Sequence, residues 1–183
     1  MFKANIYILK TPVIFLSFYT IIWTKYYNIY NSINPFPYKS AKNKSVRRIM
    51  VKDKNDEYKY HHFALGKVNQ INLPLERRKV ESRHNKNHPE LLRLCDALIK
   101  KYHPDFTYTT IQINKNHQCP PHKDSNNKGS SWIVGLGDYI GGELVVEDTE
   151  YDIHNTFVQM DGHKVHYTKP FKGERYSIVF LTL

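Results

Sequence analysis

Residues 131–146 read SWIVGLGDYIGGELVV: two short apolar runs, Trp132–Leu136 and Glu143–Val146, cut by Gly137-Asp138 and Gly141-Gly142. Runs of about four to eight apolar residues bounded by glycine are strands joined by turns, being too short for a helix's buried stripe. The same texture continues outward. Tyr108–Ile113 precedes it, and Thr156–Met160, Val165–Thr168 and Arg175–Leu181 follow, separated by Asn126-Asn127-Lys128-Gly129, Asp161-Gly162 and Lys172-Gly173. Six or seven such strands predict an antiparallel sandwich or barrel over residues 106–183. Gly135-x-Gly137 and Gly141-Gly142 lack the helix and the Lys-Ser/Thr pair of a phosphate loop, and read as hairpin turns.

Upstream the period changes. Leu91, Leu92, Leu94, Cys95, Leu98, Ile99 and Tyr102 recur at helical spacing. Asn87 or His88 can cap that helix, Pro89 suits its first turn, and His103-Pro104-Asp105 ends it. Its leucine stripe is expected to pack on the sheet. Residues 39–60 read as a linker or loop. The expected division is an N-terminal segment 1–49 and one catalytic domain 50–183 with its barrel core at 106–183.

The 183 residues suffice for one compact domain and a tail. Apolar residues at 40% supply a core, and charged residues at 24% are ordinary for a globular chain, which excludes wholesale disorder. The net charge of +10 is uneven: residues 1–50 carry eight bases and no acid, 51–107 twelve bases and eight acids, 108–183 seven bases and nine acids. The basic excess thus lies ahead of the strand-rich half. With two cysteines, Cys95 and Cys119, there is neither a disulfide framework nor a CxxC zinc site, so an intracellular, reducing compartment is expected.

Thr11–Thr24 is fourteen uncharged residues rich in aromatics, short of the roughly 20 that span a bilayer. It is read three ways: an interfacial membrane anchor beside the basic run Lys39–Arg48, a segment packed on the domain, or an extension outside it.

His122 and Asp124, two apart, leave the same face of a strand. Alone, His-x-Asp says little: ten His and nine Asp in this chain give about half an occurrence by chance. His103-Pro104-Asp105 is such a second case, at a helix end where Pro104 breaks any ladder. Of the later histidines, His163 follows the turn Asp161-Gly162 and His154 sits among loop residues, whereas His166 lies inside an apolar strand. Arg175 follows nine residues on, and the step through Pro170 and Lys172-Gly173 reads as a hairpin. Two imidazoles and one carboxylate can hold one face of an octahedral iron and leave the rest open. Arg175 and Ser177 on one strand face suit a buried carboxylate.

His122-Lys123-Asp124, His166 and Arg175-Tyr176-Ser177 together resemble the motifs of the Fe(II)- and 2-oxoglutarate-dependent dioxygenases. That resemblance implies a mainly β, double-stranded β-helix (jelly-roll, cupin-like) fold with one or more N-terminal supporting helices. It implies Fe(II), 2-oxoglutarate and O2 as cofactors, with ascorbate as an accessory reductant, and release of succinate and CO2. Metal ligands would be His122, Asp124 and His166. Arg175, with Ser177, would hold the distal carboxylate of 2-oxoglutarate; Asn114 and Asn116, read as sharing a strand face, either hydrogen-bond it as well or form a turn. The stretch Cys119–Ser131 is most similar to the Tet/J-binding-protein branch, which oxidises methyl groups of 5-methylcytosine or thymine in DNA. Asn127, and less directly Cys119, then face cosubstrate or target base. Nucleic acid, DNA before RNA, is the expected partner, with the membrane surface a second one through residues 11–24. The branch's zinc-binding cysteine region and long barrel insert are missing. A protein hydroxylase acting on Pro, Lys or Asn and a non-catalytic cupin-like metal-binding module stay open as alternatives.

Overall fold

The computed structural model describes residues 28, 29, 31–33, 61–70 and 73–183; Thr11–Thr24 and Lys39–Arg48 lie outside them. Nine strands follow in chain order: β1 (His61–Asn69), β2 (Lys79–Glu81), β3 (Thr110–Lys115), β4 (Ser131–Gly141), β5 (Leu144–Val146), β6 (Thr149–Tyr151), β7 (Val158–Met160), β8 (His166–Thr168) and β9 (Phe171–Leu181). A short helix α1 (His84–Asn87) and the longer α2 (Pro89–Tyr102) separate β2 from β3. The strands form a six-stranded sheet in the order β2-β1-β3-β9-β4-β7 and a three-stranded sheet β6-β5-β8, all pairs antiparallel. His122 forms an isolated bridge with His166 and so extends the smaller sheet beyond β8. Chain segments therefore alternate between the two sheets from β3 onward, which is the winding of a double-stranded β-helix.

Alternation along the strands explains the layers. Ile111, Ile113, Val134, Leu136, Tyr176, Ile178 and Phe180 leave one face of the large sheet, where they share a core with Leu91, Cys95, Leu98 and Ile99 of α2. The leucine stripe packs on the sheet, as the periodicity requires. Ile29 and Ile33, within the N-terminal 49 residues, are buried in the same core. On the other face stand Gln112, Asn114, Ile133, Ser177 and Val179, which line a cavity of about 620 Å³ between the sheets. A smaller apolar cluster of Ile133, Leu144, Val146, Ile153 and Met160 closes that space.

Several expectations change. β1, β2 and β6 carry no clean alternation and were not foreseen. Gly137-Asp138 and Lys172-Gly173 are not turns: they lie inside β4 and β9, where Gly137 pairs with Arg175 and Gly173 with Tyr139. A Cβ on Gly137 would collide with the Glu174 carbonyl, and one on Gly173 with that of Asp138. Both glycines, at φ +118° and +105°, permit close backbone approach within a long two-stranded arm. β8 and β9 are likewise no hairpin; β8 pairs with β5, whereas β9 crosses to the large sheet between β3 and β4. His88 occupies the N-cap of α2 without a side-chain capping bond. Among the described residues no helix is long and apolar enough to cross a membrane.

Candidate metal centre

The site is assembled by backbone pairing. His122 and His166 exchange two main-chain hydrogen bonds, N–H of His122 to the His166 carbonyl at 3.1 Å and the reverse at 3.0 Å. The Asp124 N–H donates to Gly162 at 2.7 Å and that of Thr168 to Cys119 at 2.9 Å. The strand expected at His122 is thus reduced to a bridge, because Pro120 and Pro121 lack ladder donors and a turn follows at Ser125-Asn126. The bridge still sets the two imidazoles side by side, with ring centroids 4.2 Å apart.

Hydrogen bonding then selects the tautomers. His122 Nδ1 lies 2.9 Å from the Pro120 carbonyl and His166 Nδ1 2.9 Å from the Lys164 carbonyl. A carbonyl only accepts, so both Nδ1 atoms carry the proton and both Nε2 atoms present a lone pair. Those nitrogens face Asp124: His122 Nε2 is 3.6 Å from Oδ1 and His166 Nε2 is 3.8 Å from Oδ2. All three donor atoms lie within 4.8 Å of one another. Two donors sharing one ion at about 2.1 Å stand at most about 4.2 Å apart, so small side-chain rotations complete a site. Burial holds the His166 imidazole below its ordinary value, outweighing its Lys164 bond, so the ring is neutral and ready to ligate.

The carboxylate has its own support. Asn127, buried at 8% exposure, donates from Nδ2 to Asp124 Oδ2 at 3.2 Å. Its amide nitrogen is therefore turned to the Asp124 carboxylate, which it helps to orient, and Asn127 also lines the cavity. Cys119 lines the cavity with its sulfur 3.2 Å from His122 Nδ1. Burial, followed by the Asp124 charge, pushes its thiol up to about 12, so it stays protonated.

Arg175 and Ser177 both leave β9 on the cavity side, at 2% and 5% exposure. The Arg175 guanidinium carbon sits 5.5 Å from the ring centroids of Tyr139 and of Phe171. Its Nε is buried without a hydrogen-bond partner, as is the Tyr139 hydroxyl. Among the described residues no carboxylate forms an ion pair with it, and burial pulls the guanidinium below its ordinary value. A cation stripped of water, its burial offset only in part by Tyr139 and the Glu143 charge, is costly, and a carboxylate ligand would satisfy it. Ser177 Oγ accepts from Asn114 Nδ2 at 3.1 Å, and both residues line the cavity. Asn116 is a correction. It lies past β3 at φ +52°, with its Oδ1 accepting the Arg175 N–H at 2.9 Å, so it shapes the backbone and does not share Asn114's face.

Tyr139 was not singled out from the sequence, because Gly137-Asp138 disguised β4 as two pieces. In the continuous strand its hydroxyl folds back onto Gly135, where no Cβ stands in the way. Its ring also packs on His154 at 4.5 Å, and His154 contacts the Gly137 carbonyl through Nε2, away from the three ligands. His163 pairs with Asp161 at the turn, and His103 stacks on Trp132 at 3.5 Å.

No protein-family model matches the chain, and no curated protein matches it. Among solved structures, OsALKBH1 superposes with a TM-score of 0.49 at 8% identity, over 86% of this chain and 92% of its own. An oxidoreductase of the 2OG-Fe(II) oxygenase family from Burkholderia pseudomallei superposes with a TM-score of 0.42 at 19% identity, over 67% of this chain and 66% of its own.

Proposed function

We propose that this chain is an Fe(II)- and 2-oxoglutarate-dependent dioxygenase that oxidises a methyl-bearing nucleic-acid base. The observation that carries the reading is the pair of imidazoles whose Nδ1 protons are fixed on backbone carbonyls, with both Nε2 lone pairs turned to Asp124. Two neutral nitrogens and one carboxylate are the donor set of a non-haem Fe(II) centre with open positions. His122, Asp124 and His166 would hold the metal. Bound there with 2-oxoglutarate, Fe(II) supplies the reduction of O2 that places one oxygen atom in a substrate C–H bond and the other in succinate, with loss of CO2.

The remaining steps belong to side chains. Arg175 offers the distal carboxylate a desolvated cation. Ser177, held by Asn114, offers a hydroxyl on the same wall. Ile133, Leu144, Val179 and Leu181 line the cavity and keep water from the reacting atoms. Asn127 keeps the Asp124 carboxylate turned toward the imidazoles. The base as substrate rests on the similarity of Cys119–Ser131 to the Tet/J-binding-protein branch; DNA is favoured over RNA on that similarity alone.

An anaerobic titration with Fe(II) and 2-oxoglutarate should produce a weak visible charge-transfer band in wild type that His122→Ala abolishes. Succinate release is then measured in parallel against methylated DNA, RNA and peptide pools, with mass spectrometry of the nucleosides. Turnover on peptides alone would move the substrate to protein; absence of the band in wild type would leave a cupin-like module.

A further inference from the structure

The cavity is elongated along the large sheet. Asn114 and Ser177 line one end, whereas Val68, Asn69, Thr110, Leu181 and Leu183 line the other. From Asn114 to Thr110 along β3 is about 13 Å at roughly 3.3 Å per residue. Three lysines lie beside that far end, none of them among the residues that line the cavity. Lys67 precedes Val68, and Lys128 follows Asn127, a lining residue on the opposite bank. Lys79 lies across the β1–β2 ladder from Asn69. The Lys79 ammonium donates to the Leu183 carbonyl at 2.5 Å, and the Lys128 N–H to the neighbouring Thr182 carbonyl at 2.7 Å, so both are anchored to the end of β9.

All three side chains are exposed, and among the described residues none pairs with an Asp or Glu side chain. Glu81, opposite Lys67 on β2, gives its carboxylate instead to Asn85 Nδ2 at 2.7 Å. Desolvation, with the charges of Lys128 and then Lys67, holds Lys79 below its ordinary value, as expected of ammonium groups crowded together. Two of these bases come from residues 51–107, ahead of the catalytic half; β1 and β2 carry that upstream charge to the groove. Lys123, also exposed, adds a cation on the lip beside the metal ligands.

The geometry points to the Lys67–Lys79–Lys128 cluster as the seat of a phosphodiester backbone, which holds a nucleic-acid strand along the groove while one of its bases reaches the metal centre. This deepens the proposed function and rests on it. Exposed ammonium groups on a mobile stem suit phosphate oxygens as point charges, and they read no sequence. The strand in question is single or locally opened, since a base must leave its stack to reach a metal centre inside the groove.

The test measures binding of a fluorescent mixed-sequence single-stranded DNA to the full chain by anisotropy, across about 50 to 200 mM salt. In the variant Lys67→Gln/Lys79→Gln/Lys128→Gln the slope of log affinity against log salt should fall by about 2, at roughly 0.7 per phosphate contact. About 20-fold of the affinity change across that salt range should vanish with it. Because Lys79 also anchors the Leu183 carbonyl, Lys67→Gln/Lys128→Gln is made in parallel, with an expected fall of about 1.4. The Fe(II)–2-oxoglutarate band should be unchanged in both variants, which separates this proposal from the metal reading. An unaltered salt slope with the band intact would overturn the phosphate site and leave the dioxygenase standing. Polyglutamate is run as competitor; displacement at charge concentrations equal to those of DNA would reassign the rim to an acidic protein partner.

Discussion

Replacing Arg175 with Met should leave the ligand-free protein close to wild-type stability while crippling its grip on 2-oxoglutarate, a combination that a merely structural arginine cannot give. Arg175 is 2% exposed and its Nε lacks a partner. Exchanging buried charge for an apolar side chain of similar volume is commonly neutral to stabilising, by about 1–4 kcal/mol. The lost cation–π contacts with Tyr139 and Phe171 oppose this by about 0.5–2 kcal/mol each. The net expectation is a change between about −3 and +3 kcal/mol, or a melting temperature within roughly 9 °C of wild type at about 3 °C per kcal/mol. Were Arg175 instead half of a buried pair, truncation would cost about 3–5 kcal/mol, and the melting point would fall by about 9–15 °C. On the ligand side, leaving a dicarboxylate's far end unpaired costs about 2–5 kcal/mol, a loss of affinity from roughly 30-fold to beyond 1,000-fold. Differential scanning calorimetry of the apo proteins and calorimetric titration with 2-oxoglutarate read the two effects separately. A variant that melts well below wild type and binds 2-oxoglutarate normally would refute the cosubstrate role.

Other outcomes are as definite. Gly142→Ala should both destabilise and weaken 2-oxoglutarate binding: its φ is +77° and its Cβ would stand 2.9 Å from Arg175 Nε, displacing the guanidinium; intact affinity would show that Arg175 can move freely. Asn127→Ala should lower Fe(II) affinity about 10- to 100-fold with little change in the melting point of the apo protein, read by metal titration with a competing chelator. Apo stability should fall on acidification. Burial holds His84, His103 and His166 below their ordinary 6.5 in the folded state. The unfolded chain therefore binds more protons, and stability present above about pH 6.5 is lost as pH drops through that value toward the folded ones. Urea midpoints compared at pH 7.5 and 5.5 with equal slopes would show it, and coincident midpoints would contradict it.

The sequence disclosed most where chemistry and periodicity coincide. His166 could be separated from His154 and His163 because it alone sits in an apolar strand, and α2 announced itself through Pro89 and its leucine spacing. Glycine misled in β4 and β9. Gly137 and Gly173 follow the statistics of turns, yet their φ values serve two strands that run too close for side chains, a fact about the partner strand that no local window contains. Tyr139 was hidden by the same error. Asn116 shows the opposite limit: its two-residue spacing from Asn114 promised a shared face, but the strand ends between them and a positive φ turns it to the backbone. β1 and β2 were illegible because Gly66, at φ +77°, interrupts the alternation that would have revealed β1, and β2 has three residues.

The placement of the ligands implies a rigid apo site. In His122 and His166 the ring proton is held by a carbonyl two residues away in the chain, Pro120 and Lys164, and the two residues are paired to each other through the main chain. Ring orientation, tautomer and inter-ring distance are thus set by backbone contacts that exist before any ion arrives. Asp124 is the exception: its carboxylate is held by the Asn127 side chain, through one hydrogen bond at 3.2 Å, and it is the more exposed ligand, at 36% against 7% for His166. Metal binding should therefore order Asp124 and the Ser125–Lys128 loop while leaving the imidazoles where they are. Hydrogen exchange with and without Fe(II) decides the matter. Protection gained at the amides of 124–128 alone fits this division, and protection gained equally at 122 and 166 would mean that the histidines, too, wait for the metal.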